Sequence, residues 1–344
     1  MKKLLLMRMA LVFLIAISLN AQKISFKKES SAPVTSGDPV RIVSTPGGES
    51  LIIFSPESAV PYDLKTGTFL TPYAGLKGPM AFIATAASAP FILAATQEGA
   101  LFLLDTKSGV TTGSKTIQEG MISAAAVSDD GKLAAVATQS GSIYTFNLPS
   151  MQETGKIQAH AKVVKGLHFI ENGSKIISVS IDKKISVSDV ASSRFERSFT
   201  DDGMDFITAT AVNSTGEFIA IASGSANINI YIFRISESKL VKKVRGPIQP
   251  VSRLGFIGES PILYAFSGGE EIELFNSANG NSIGFLKNSG SKIIDFALSD
   301  FGSPSYTLSL DRNLSKWNAS LPGDFADLAA NKISNLKNSR NSKP

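Results

Sequence analysis

A repeat of 42 residues constrains this 344-residue chain more than any other feature. Seven dipeptides close an apolar run in the same way: Tyr62-Asp63, Leu104-Asp105, Phe146-Asn147, Ser188-Asp189, Phe233-Arg234, Phe275-Asn276 and Trp317-Asn318. Their second members stand 42 residues apart at every step but one, and only the step from Asp189 to Arg234 is longer, at 45. Sixteen residues ahead of six of these markers are Gly47, Ala89, Gly131, Gly173, Ser260 and Gly302, each small and set in a polar turn. In the odd repeat Gly216 lies 18 before its marker, which places most of the insertion between Ser223 and Asn229. A unit this short cannot bury its own apolar faces, so neighbouring units must stack on one another.

Within each unit the pattern is that of strands. "KLAAVAT", "SKIISVS" and "EFIAIAS" alternate or run apolar for about seven residues between turn signals, and none reaches helical length. "SDDGK", "IENGS" and "NSTGE" supply the Asn, Asp and Gly that hairpin turns demand. The strand ahead of them is built from small residues, as in "ISAAAV" and "FITATAV", and this suits the crowded inner strand of a blade. The expected fold is therefore all-β: a seven-bladed β-propeller of four-stranded antiparallel blades, with less than a tenth of the mature chain helical. Each repeat gives three strands up to its marker and then an outer one, such as "TFLTPY" or "FERSFT". After Trp317-Asn318 no outer strand follows, and the unassigned "KISFKKE" from Lys23 to Glu29 is expected to fill that place and close the ring. Closure removes exposed sheet edges.

Residues 1–21 are set apart as a secretory signal peptide, 22–323 as the propeller, and 324–344 as a tail, disordered or with a short helix. In "MKKLLLMRMALVFLIAISLNA" the cations Lys2, Lys3 and Arg8 precede an apolar run from Met9 to Leu19. That run is shorter than the roughly 20 residues a bilayer span needs. With no cysteine in the chain, export comes without disulfides and without a lipoprotein anchor. The protein is expected in the periplasm, at the cell envelope or secreted, as a monomer with no integral membrane span. Of the net charge of +5, three units lie in the leader and two in the tail, so the body is neutral and offers nucleic acid no basic face.

The repeats resemble the WD-repeat family of seven-bladed propellers, in an exported bacterial form with divergent repeats. "AVSDDGKLAAVATQSGSIYTFN" looks like that family's turn, two strands and terminal aromatic-Asp pair. "AHAKVVKGLHF" sets His160 near the family's Gly-His position, and "SIDKKISVSD" sets Asp182 in its tight turn. Asp311 and Trp317 take the corresponding places in the seventh repeat. The resemblance implies structural roles for these four residues, His160 and Asp182 joined by a hydrogen bond that ties a loop to a hairpin. "YDLKTGTFL" and "LLDTKSG" resemble the turns of quinoprotein-like propellers, among them outer-membrane assembly scaffolds, although a docking Trp is absent.

Little in the chain points to chemistry. Two histidines without a cysteine or a serine-nucleophile motif make a poor catalytic set. The acidic cluster Asp201, Asp202 and Asp205 lacks the alternating spacing of a calcium loop. Gly67, Gly109 and Gly280 recur with the repeat and read as turn glycines, not phosphate loops. No catalytic residue, metal or cofactor is assigned. The expected function is a non-enzymatic scaffold that binds a protein partner; the alternatives are an exported propeller enzyme such as a lactonase, or a quinoprotein-like outer-membrane assembly scaffold. The face on which WD-repeat propellers dock partners is expected to carry Tyr73, Gln97, Gln118, Gln139, Met204, Phe206, Asn227, Arg245, Gln249 and Glu270. Tyr73, Met204 and Phe206 are the sharpest candidates, as apolar groups in polar loops.

Overall fold

A computed structural model describes residues 23–321, apart from 36, 46, 57, 86–89, 225–227 and 300–302. The strands form seven four-stranded antiparallel sheets, and six of these use four consecutive strands. Six of the seven markers are the last residues of third strands, such as Ile185–Asp189 and Asn229–Arg234; Asn318 lies two residues inside Asn313–Ser320. The fold is thus a seven-bladed propeller, phased as the 42-residue repeat requires. The only helical element among the described residues is a 3-10 turn at Glu171–Gly173. The expected leader, the tail and Asn227 lie outside the described residues.

The burial patterns explain the sequence of each strand. Second strands are sandwiched between neighbouring blades and are buried on both faces, so Leu133–Thr138 and Phe218–Ser223 read as continuous apolar runs. Outer strands bury one face only, so Thr111–Thr116 alternates between half-buried and exposed residues. The core is therefore a ring of layers between blades. One layer packs Leu93, Leu101 and Leu103 of blade two against Ala134, Val136 and Phe146 of blade three. Another packs Tyr306, Leu308 and Leu314 of blade seven against Ile42, Leu51 and Ile53 of blade one.

The ring closes through its first strand. Ser25–Pro33 pairs antiparallel with Asn313–Ser320, from Ser25 opposite Ser320 to Pro33 opposite Asn313. Ile24 and Val34, at the two ends of this strand, are almost wholly buried. Ile24 also donates its N–H to the carbonyl of Ile283 at 2.7 Å, tying the closing strand to blade six.

One outer strand is shorter than its sequence suggests. In blade one only Thr68–Phe69 forms a regular strand. Leu70 still donates its N–H to the Pro61 carbonyl at 2.8 Å, but Pro61 has no N–H to return. Gly67, Gly109 and Gly280 all have φ between 69° and 84°, the left-handed backbone of a turn, as expected from their phase.

Candidate functional site

A propeller has two unlike ends. On one, here the loop face, outer strands lead into the next blade and second strands turn into third. On the other, the turn face, innermost strands turn into second and third into outer. The loop face is organised by blade four. His160 enters from the loop ahead of Val164–Ile170 and is buried. Its Nδ1 lies 3.1 Å from Asp182 Oδ2, and its Nε2 lies 2.9 Å from Ser178 Oγ. A carboxylate can only accept, so Nδ1 carries the proton and Nε2 accepts from the serine hydroxyl. Burial pushes the His160 pKa below its ordinary value against the pull of Asp182, so the ring is neutral at pH 7. Burial alone raises the Asp182 carboxyl, but the Lys184 N–H, His160 and the Ala161 N–H outweigh it and hold the group below the usual range. With both ring nitrogens engaged, His160 has none free for a substrate.

Blade seven holds the complementary half of this pattern. Trp317 is buried and donates its Nε1–H to Thr307 Oγ1 at 2.9 Å. Asp311 accepts from Ser309 Oγ at 2.6 Å and donates its own N–H to Ser291 Oγ at 3.1 Å.

The expected partner residues divide. Gln97, Gln118, Gln139, Arg245 and Gln249 are exposed, and Glu270 is half-buried. The backbone places them on the loop face: Ile122 donates to Gln97 O and Gln139 donates to Met121 O, both at 2.9 Å. Phe206 is 58% exposed. Met204 is fully buried in the layer between blades four and five, so it packs the fold and is withdrawn from the candidate surface. Tyr73 is half-buried and donates its hydroxyl to Thr106 O at 2.6 Å, at the far turn of blade two. A Cβ at Gly109 would lie 2.5 Å from the Tyr73 ring, so the glycine makes room for it. Tyr73 therefore latches blade one to blade two. Arg197 does the same between blades four and five, donating to Ser238 Oγ and Ile235 O at 3.2 Å each.

The structure adds residues that sequence reasoning missed. Ten large apolar side chains are exposed among the described residues. Val40, Met121, Phe206, Ile248 and Leu310 sit on the loop face, in five different blades. Leu70, Val110, Phe195, Val241 and Phe285 lie along the outer wall, and none of the ten is in a turn between innermost and second strands. Their signal was available: each of the missed four interrupts a polar or proline-flanked loop, as in "GPIQP" and "SLDRN".

Inside this rim opens the central channel. Its loop-face mouth is a cavity of about 280 Å³ whose charged lining residues are Arg41, Lys165 and Arg253, with no acidic residue among the described ones. A bulge recurs at the second residue of five innermost strands, and it places Ser123, Lys165 and Thr208 at this mouth. Below them Asp295 is buried, its Oδ2 taking the Ile42 N–H at 2.8 Å and standing 3.9 Å from Arg41 Nε. Its other oxygen faces Arg253, whose guanidinium also lies 4.9 Å from the Phe296 ring centre. Burial lowers both arginines from the ordinary guanidinium value, yet such a group stays charged. At the turn face a larger cavity of about 430 Å³ has Asp129 and Glu171 among its lining and, among the described residues, no lysine or arginine. His168 lies on the wall between the two, with Nε2 2.9 Å from Thr210 Oγ1, and burial pushes its pKa down to about 4.

Among the described residues no group of three or more His, Asp or Glu is placed to hold a metal, and no helix is long and apolar enough to cross a membrane. No protein-family profile matches the chain. The WD repeat-containing protein SL1-17 of Schistosoma mansoni is 26% identical over 116 residues, a match that covers 34% of this chain and 37% of that protein. The chain thus spans little more than a third of that relative's length. Seven four-stranded blades, together with this likeness, make the chain a WD-repeat-like propeller.

Proposed function

We propose that this chain is a non-enzymatic, monomeric interaction scaffold, exported to the periplasm or cell envelope, that binds a protein partner through the loop face. One observation carries the reading: the exposed apolar side chains off the outer wall all lie on that face, around the channel. Large apolar groups in polar surroundings contribute most to binding when a partner buries them. Phe206 and Ile248, in adjacent blades, are the expected anchors. The opposite face has no comparable patch among the described residues. The leader-like composition of residues 1–21 supports export.

The test is in-cell cross-linking followed by purification of the tagged full chain. The parent should capture a defined protein, and Phe206→Ala combined with Ile248→Ala should reduce that capture about tenfold or more. Both side chains are exposed, so the melting temperature should stay within about 2 °C of the parent. Undiminished capture by the double variant, or cross-links confined to the outer wall, would place the partner elsewhere.

A further inference from the structure

The mouth of the channel has a charge imbalance that the fold does not resolve. Two guanidinium groups, Arg41 and Arg253, share the single buried carboxylate of Asp295, and Lys165 adds a third cation at the same opening. The hydroxyls of Ser123, Thr208 and Ser252 line the cavity beside them but donate to the carbonyls of Ala137, Ala222 and Phe266, so the three cations are the groups that face a ligand. A bulge carries Lys165 out of the regular ladder and sets its ammonium group at the mouth. Among the described residues the turn-face cavity is lined by Asp129 and Glu171 and by no lysine or arginine, and Glu171 is paired with Lys175 at 3.5 Å.

We propose that the loop-face mouth of the channel is a receptor for a small, multiply charged oxyanion, a carboxylate or phosphate compound held by Arg41, Lys165 and Arg253. A cavity of about 280 Å³ admits one molecule of about the size of citrate, at the low end of ligand pockets. Arginine forks suit planar carboxylates and phosphates, and charge-assisted hydrogen bonds are the stronger kind.

The test uses the purified full chain and two probes, citrate and inorganic phosphate, each titrated by calorimetry at ionic strength matched with sodium chloride. Saturable one-to-one binding of either probe is expected, and the tighter of the two identifies the carboxylate or phosphate class. Lys165 is exposed, so Lys165→Glu should fold normally and weaken binding about tenfold or more. Arg41→Gln should weaken it as well, with its fold checked by the melting curve. Absence of saturable binding by both probes overturns the proposal. So does a Lys165→Glu protein that melts like the parent and binds equally well.

Discussion

Removing residues 23–34 tests ring closure, and the structure sets the size of the effect. The segment contains the outer strand of blade seven and two almost wholly buried side chains, Ile24 and Val34. Burying an aliphatic side chain of this size contributes about 1.5–3 kcal/mol, so the pair contributes about 3–6 kcal/mol. Deletion also leaves Asn313–Ser320 as a bare sheet edge and strips Lys28 from the Trp317 ring, 5.8 Å away. The lost ladder adds to the cost, bringing the total to about 5 kcal/mol or more. Domains have about 5–15 kcal/mol in all. At about 2 °C per kcal/mol for a chain of this size, the melting temperature should fall by about 10 °C. Circular dichroism melts of the parent and the deletion measure this, and a synthetic 23–34 peptide added in trans should raise the midpoint of the deletion again. A deletion protein melting within about 2 °C of the parent and indifferent to the peptide would refute the closure argument.

Two further outcomes follow from the histidines. His160→Ala should cost about 1–3 kcal/mol, because it strands the Asp182 carboxylate and the buried Ser178 hydroxyl; chemical denaturation measures it, and an unchanged midpoint at unchanged m would show the bridge to be idle. His168 sits at about 4 in the fold against about 6.5 when unfolded, so the unfolded chain takes up the proton first as pH falls. Stability is therefore complete above about pH 6.5 and declines toward pH 4, by about 2–3 kcal/mol once solvent screening is allowed for. His168→Gln should flatten that slope, and an acid profile identical to the parent's would assign the loss to other groups.

How much of this was legible in the sequence differs between framework and site. The markers at 42-residue steps located the third strands because each blade repeats the same burial pattern, and Lys23 to Glu29 was left over as the missing strand. His160 with Asp182, and Trp317 in the seventh repeat, stood at phased positions and could be paired by resemblance. The loops obey no such period. Met204 and Phe206 are two residues apart in one loop, yet one is buried between blades and the other is half in solvent. Tyr73 turned to the wall because Gly109 of the next blade leaves a hollow for its ring, a contact across 36 residues that composition does not encode. The basic mouth was invisible for a related reason. Arg41, Lys165 and Arg253 come from three separate repeats, two unbulged and one bulged, and meet only on the axis.

The pairing of Ser25 with Ser320 has a consequence for handling the molecule. It brings the two ends of the described chain side by side on the turn face, away from Phe206, Ile248 and the basic mouth. A tag, a fused domain or a surface linker joined directly to Lys23 or Leu321 starts from that one spot and leaves the loop face pointing outward. The same adjacency suits a propeller of residues 23–321 to circular permutation, with a short linker from Leu321 to Lys23 and new ends cut into an outer loop.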